Sequence, residues 1–503
     1  MVSDNLSEWL GKIDGAAVQQ LLLYDKANPL LFNTGLFMLL FAAFMLVYTL
    51  IRRWPVMRML TVIAFSLYFY YKSSAGYCFI LLAVCLGDYL LGRWMEKARA
   101  DWLRRTIVGI NVIANVGMLV YFKYLNLIFD TFANIAGTDF DAFDIILPAG
   151  ISFFTFRSIS YIVDLYRHKL EPCRNLLHYV FFLTFFPPLL AGPVVRAVDM
   201  LPQIGKNDLA TRAMTGEGLF LIMSGLLKKV VIADYISGNF VDRIFENPSL
   251  YSGLENVLGT IGFTLQLYCD FSGYSDMAIG IALLLGFRFK DNFNAPFKAQ
   301  SPTEFWHRWH ISLSTWLRDY IYIPLGGNRR GKKRQYSNLL STMVIGGLWH
   351  GASWMYLLWG AYHGVLLGAH KALHAVWPRH SYIERFPATV RFFNILVTFT
   401  LIVIGFTFFR CSDLDKLGDM STQVFTAFHW HALPQICKAY ALILTLMGIG
   451  FAMHFSPSEW RRRLLDRYIA MPLVWQAVVL AIVLFIVVQT RSAELVPFVY
   501  LQY

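Results

Sequence analysis

The stretch FWHRWHISLSTWLRDYIYIPLGGNRRGKKRQ, residues 305–335, and its continuation GGLWHGASWMYLLWGAYH, residues 346–363, decide how the rest of the chain reads. His307, His310, Arg308, Arg318 and Asp319 crowd one aromatic-rich segment, and His350 sits between two runs of membrane-grade hydrophobicity. Ionisable side chains are costly in hydrocarbon, so their default reading there is functional. An ordinary membrane anchor has no use for such a cluster.

Outward from this block the sequence is apolar. Of 503 residues, 57% are hydrophobic and 15% charged, and the mean hydropathy is +0.49. The charges gather in short clusters between apolar runs close to the ~20 residues a helix needs to cross a bilayer. A soluble protein would have to hide all these runs in one core, so the fold class is an all-α polytopic membrane protein. Spans are expected near 30–51, 56–71, 76–91, 107–128, 145–165, 176–192 and 217–236, then 254–287, broken near Asp270 to Gly273. After the opening block come 338–372, too long for one crossing, then 391–409, 438–455 and 472–490. Residues 1–29 read as an amphipathic surface segment through Leu6, Trp9, Leu10, Ile13, Val18 and Leu21 to Leu23. Residues 30–503 read as one multi-helix membrane domain with its signature core at about 145–372.

The net charge of +12 does not point to nucleic acid. Arg52-Arg53, Arg93 to Arg105, Lys332-Lys333-Arg334 and Arg461-Arg462-Arg463 flank apolar segments, where positive-inside charge belongs. Membrane lipids with anionic headgroups are natural partners for these patches. Placing 93–105, 327–336 and 457–467 in the cytoplasm gives a consistent alternation, with the amino-terminal helix and the VPFVYLQY end outside. In FFLTFFPPLLAGPVVR, residues 181–196, Pro187, Pro188 and Pro193 must interrupt the helix. Pro324, Gly326 and Gly327 must end whatever helix Trp306 to Tyr322 forms. Broken backbone at membrane depth survives only where protein or an aqueous cavity shields it. The middle of the chain is therefore expected to form a thick core with re-entrant segments, walled by the peripheral spans. No internal repeat supports an inverted-repeat transporter.

His350, in GGLWHGAS, is flanked by Gly346, Gly347 and Gly351, which allow close approach of a substrate or a neighbouring helix. An imidazole takes and returns a proton near neutral pH without leaving a charge in a dry cavity, which suits a general base. A structural histidine bonded to a neighbouring helix, a metal ligand and a proton carrier remain alternatives. If Phe305 to Asp319 is helical, His307, His310, Ser314 and Arg318 fall on adjoining parts of one face. His310 would then position an acceptor hydroxyl or steady an oxyanion, or merely crosslink the helix. Asp270, Asp276 and the DNFNAPF tract form a second polar island whose expected role is scaffolding, and Asp319 invites a salt bridge with Arg318. No metal site is expected. His307/His310 and His370/His374 have helical spacing without an HExxH arrangement, and cysteine pairs at ligand spacing are absent. Cys78, Cys85 and Cys269 read as buried hydrophobes, while a Cys411–Cys437 disulfide is conceivable. Ser312 and Ser353 lack a nucleophile motif, so direct transfer from an activated acyl donor such as a thioester is the simpler chemistry.

Together LPAGISFFTFRSISYIVDLYR (147–167), LLAGPVVR (189–196), LYCDFSGYSDMAIG (267–280), GFRFKDNFNAPF (286–297) and the opening block resemble the membrane-bound O-acyltransferase family, in its bacterial alginate O-acetyltransferase branch. The resemblance implies a ring of transmembrane helices around a central catalytic cavity in the bacterial inner membrane. His350 would match the catalytic histidine and His310 the second signature histidine. It further implies acetyl-CoA as donor substrate with no permanently bound cofactor, a periplasmic SGNH-type acetyltransferase partner, and an exported polysaccharide acceptor such as alginate, cellulose or peptidoglycan. Trp306, Arg308, Trp309, Ser314, Arg318, Asn328 and Arg329 are the residues expected near the donor. His307 and Phe297 depart from the arginine and tyrosine usual in the family. A transporter or channel, and a non-catalytic scaffold recruiting periplasmic enzymes, are the competing functions.

Overall fold

The computed structural model describes residues 15–26, 28–206, 208–376, 387–490 and 498, and every element in it is helical. Most of the amphipathic segment expected at 1–29, and most of the VPFVYLQY end, lie outside the described residues. Of the former, Gly15–Leu22 is a helix.

Among the described residues, four helical stretches are long and apolar enough to cross a membrane: Pro55–Lys97, Asp101–Ala136, Pro387–Arg410 and Leu473–Thr490. Their outward faces carry large bare side chains such as Phe79, Ile113, Phe392 and Phe485, a surface suited to hydrocarbon rather than water. In the first of them, Pro55–Ser74 and Cys78–Lys97 meet at a short turn where Ala75 has a φ of 49°. A fifth span, expected at 438–455, is broken. Trp430–Ala439 and Ala441–Phe455 meet at 92°, the geometry of a bent or re-entrant segment.

Inside these lie helices of a different character. Ile151–Tyr166 is buried along nearly its whole length. Leu176–Thr184 stops where the prolines begin, and the chain runs irregularly through Phe185 to Arg196 with almost every side chain buried. Protein encloses this open backbone, as its polar groups require. The long stretch expected at 338–372 divides into Lys332–His350 and Trp354–Val376, with the break at Gly351 to Ser353.

One expected break is absent. Gly253–Leu284 is a continuous helix of 32 residues, roughly 48 Å long at 1.5 Å per residue. Gly273 does not interrupt it because the missing side chain serves contact with a neighbour. A Cβ on Gly273 would stand 2.8 Å from the Gly225 carbonyl oxygen, and one on Gly225 would stand 2.4 Å from that of Gly273. The two helices, Gly253–Leu284 and Arg212–Leu226, therefore touch backbone to backbone. Asp270 and Asp276 on the long helix pair with Lys229 at 2.5 Å and Lys228 at 2.7 Å, and Asp234 adds a second carboxylate to Lys229 at 2.8 Å. Pairing is what lets these charges stay buried, and the expected scaffold role of both aspartates follows. The conceivable Cys411–Cys437 disulfide is not formed. Cys411 is a buried free thiol and Cys437 an exposed one, and Cys85 and Cys269 are buried as expected, with Cys78 half-buried.

Gly225→Ala is expected to destabilise the protein by ~1–3 kcal/mol through overpacking, read as a lower unfolding midpoint in detergent. An unchanged midpoint would show that the helix contact is looser than its geometry.

Candidate active site

The signature block is not one helix. Pro302–Arg308 ends where the Trp309 N–H donates to the Phe305 carbonyl at 2.8 Å, and a new helix runs over Ile311–Leu317. His310 stands between them in the left-handed region, with φ 41° and ψ 56°. The shared face expected for His307, His310, Ser314 and Arg318 is therefore broken. His307 and Arg318 are exposed, His310 is fully buried, and the Ser314 hydroxyl donates to the Trp309 carbonyl at 3.2 Å.

A non-glycine residue in this conformation costs ~1 kcal/mol or more, and Asn292 holds it there. The Asn292 carbonyl accepts from the Ile311 N–H at 2.9 Å. Its Oδ1 accepts from the Ser312 N–H at 3.2 Å and the Ser312 hydroxyl at 2.8 Å, while its Nδ2 donates to Ser275 at 3.1 Å. His310 Nδ1 faces the same Oδ1 at 3.1 Å. An oxygen that already accepts two donors takes a third, so Nδ1 carries the proton and Nε2 is the ring's acceptor nitrogen, a tautomer assigned from the network. Phe271 closes one side of the ring, edge on at 4.6 Å.

His350 is the last residue of Lys332–His350 and is buried. Its ring meets Trp359 edge on at 4.9 Å and Phe409 at 5.2 Å, with Trp349 at 4.9 Å. Trp349 also lies 5.9 Å from His310, so one indole touches both histidines. Beyond Trp359 stands His363, fully buried, 4.9 Å from Trp359 and 5.2 Å from Trp306. The indole nitrogens of Trp306 and Trp359 and both ring nitrogens of His363 are buried with no hydrogen-bond partner among the described residues. Such groups each cost ~1–3 kcal/mol, and four of them stand in this one pocket of aromatic rings. The sequence reading passed over His363, although a histidine in a tryptophan-rich membrane run was a visible signal.

The glycines around His350 serve packing. A Cβ on Gly347 would lie 2.2 Å from the Tyr356 carbonyl oxygen, and one on Gly351 equally close to the Tyr356 ring. They let Lys332–His350 and Trp354–Val376 pack as a tight helical hairpin. Another link reaches the 147–167 motif. Trp316 stacks on Phe156 at 3.8 Å and donates from Nε1 to the Phe156 carbonyl at 3.0 Å, and Phe156 in turn stacks on Trp349.

The remaining expected residues are spread out. Trp306 belongs to the aromatic pocket and Trp309 is fully buried against Phe293, Phe305 and Phe406. Arg308 is tied to Glu304 at 2.8 Å and to the Asn294 carbonyl. Arg318 pairs with Asp319 at 2.7 Å, as expected, and Asp319 also holds Arg196 at 2.7 Å. Asn328 and Arg329 lie exposed beyond Pro324. Phe297 is buried, its N–H donating to His454 Nε2 at 3.1 Å. No group of three or more metal-ligating side chains occurs among the described residues.

Residues 173–409 match the family described as MBOAT, membrane-bound O-acyltransferase family. The chain is 39% identical over 401 residues to a probable alginate O-acetylase of Azotobacter vinelandii, covering 78% of each protein. A Pseudomonas syringae protein of the same description is 41% identical, over 74% of this chain and 71% of its own length. A peptidoglycan O-acetyltransferase of Helicobacter pylori is 35% identical, over 77% of this chain and 78% of its own. The chain belongs to the membrane-bound O-acyltransferase family. It is an acyltransferase and a multi-pass protein of the bacterial inner membrane.

Replacing His310 tests whether its imidazole does more than fill the turn. His310→Gly keeps the left-handed turn without strain and removes only the imidazole, so the protein is expected to reach the membrane at normal level with acyl transfer at least tenfold lower. Full activity in that variant would reduce residue 310 to a turn.

Proposed function

We propose that this enzyme moves acetyl groups from cytoplasmic acetyl-CoA toward an exported polysaccharide, with alginate the first choice of acceptor. The observation that carries this is identity near 40% to probable alginate O-acetylases over about three quarters of the chain. Peptidoglycan stays open as acceptor because the Helicobacter pylori relative is nearly as extensive a match.

In this reading His350 is the general base. An acceptor hydroxyl gives its proton to the imidazole while its oxygen attacks the thioester carbonyl carbon. The carbon–sulfur bond then breaks, and the proton passes from the imidazolium to the departing thiolate. His310, held by Asn292, orients the acceptor or the developing oxyanion through Nε2. The buried indole and imidazole nitrogens of Trp306, Trp359 and His363 line the pocket in which polar atoms of the substrates would be met. The outer helices form a ring around this centre, open to the donor from the cytoplasm and to the acceptor from outside. Such an arrangement spares the phosphates of coenzyme A any passage through hydrocarbon, which would be prohibitive. The exposed Asn328, Arg329, Arg330 and Lys332 to Arg334 stand on the donor side and attract those phosphates. A periplasmic SGNH-type acetyltransferase completes delivery to the polymer.

His350→Ala is expected to lower the alkali-labile acetate of the exported polymer about 100-fold or more, within the range of lost acid–base catalysis, with membrane abundance unchanged. Normal polymer acetylation in that variant would overturn the reading.

A further inference from the structure

The helix that carries His350 stops inside the protein, and a helix end leaves its last four carbonyls without intrahelical partners. Two of these are taken by side chains from a distant helix. The Lys123 ammonium donates to the Trp349 carbonyl at 2.6 Å, and the Tyr124 hydroxyl donates to the Leu348 carbonyl at 2.7 Å. Both donors come from Val120–Tyr124, a widened π-helical turn within the Asp101–Ala136 span. A π turn inserted in an α-helix frequently marks a functional site, although three others occur among the described residues, at Leu227–Asp234, Ser237–Val241 and Arg318–Tyr322. Here it presents two consecutive side chains to two consecutive carbonyls.

The surrounding sequence, MLVYFKYLNLIF at 118–129, is apolar apart from Lys123, Asn126 and the tyrosine hydroxyls. A lysine near the middle of a membrane helix costs about 2.5–3.5 kcal/mol on insertion scales, so its retention calls for a specific contact. The contact made is with the residue preceding the proposed base.

Resting on the assignment of His350 as base, we infer that Lys123 and Tyr124 are positioning residues for acyl transfer, a two-point clamp that fixes the backbone at 348–349 and thereby the direction of the His350 ring. They touch no reacting atom. Their removal therefore lowers the rate of transfer without weakening donor binding.

The test uses the full-length protein in its native membrane, with Lys123→Met, Lys123→Arg and Tyr124→Phe compared at matched abundance. Alkali-labile acetate of the exported polymer is the rate readout. Binding of acetyl-CoA to the purified protein in lipid nanodiscs is the second readout. Lys123→Met is expected to lose at least tenfold in acetylation and Tyr124→Phe about threefold, with the acetyl-CoA dissociation constant within twofold of wild type. Lys123→Arg is expected to recover at least half of the activity. Undiminished acetylation in Lys123→Met overturns the inference. If Lys123→Met instead fails to accumulate, Tyr124→Phe, which deletes one hydroxyl, decides alone, and full activity there overturns it equally. His350→Ala separates this from the reading beneath it. An active His350→Ala removes the base and the clamp's purpose together, whereas an inactive His350→Ala beside an active Lys123→Met removes the clamp only.

Discussion

Helices that stop inside a membrane protein leave carbonyls and N–H groups that lipid cannot satisfy, and this constraint shapes the whole centre of the molecule. The chain breaks at Thr184, at Arg308 and at His350, and each break is closed by groups from elsewhere in the sequence. Around Thr184 the Arg157 guanidinium donates to the Phe182 carbonyl and the Phe186 N–H donates to the Ser66 hydroxyl at 3.2 Å. At 310 the closing group is Asn292, and Ser312 carries the network onward by accepting from the Val194 N–H at 2.9 Å. At 350 the closing groups are Lys123 and Tyr124. The motifs at 147–167, 189–196, 286–297 and 305–335 are thus partners in one assembly, since each supplies the donor or acceptor that another lacks.

Apolar surface explains the outer architecture, and it was legible in the sequence. Hydropathy places the long outer spans, and the proline cluster at 187–193 and the glycines at 326–327 mark true interruptions. Two local inferences failed for a common reason. Gly273 suggested a break, yet a glycine inside a helix also signals that another backbone comes close, and the neighbour, Gly225, lies 48 residues earlier. The regular spacing of His307, His310, Ser314 and Arg318 suggested one helical face, yet the turn at His310 is imposed by Asn292, 18 residues away. Periodicity reports what a segment would do alone. Tertiary partners decide what it does.

The site was legible in part on the same terms. His350 and His310 stand out because ionisable groups are rare in such a chain, and the structure brings both against Trp349. Lys123, Asn292 and His363 were missed. Asn292 sits in a tract already marked as polar, whose individual roles depend on contacts that sequence does not reveal. Lys123 lies in a span apolar enough on average to cross a membrane, so the average that reveals the helix conceals the lysine and tyrosine proposed to clamp the site.

The distribution of charge separates scaffold from chemistry. The carboxylates Asp270 and Asp276 on the long central helix, and Asp234 beside it, are matched by lysines: Lys228 with Asp276, and Lys229 with Asp270 and Asp234. Charges held this way fix helix positions and have little capacity left for a reaction, because breaking a buried pair is costly. Around His350 the inventory is different. Three histidines and three tryptophans crowd together, ring against ring. If His350 is the proposed base, surrounding aromatic rings would let its imidazole accept a proton briefly and give it up again. Such an environment would suit the proposed transfer from a thioester, whose leaving group needs a proton only as it departs.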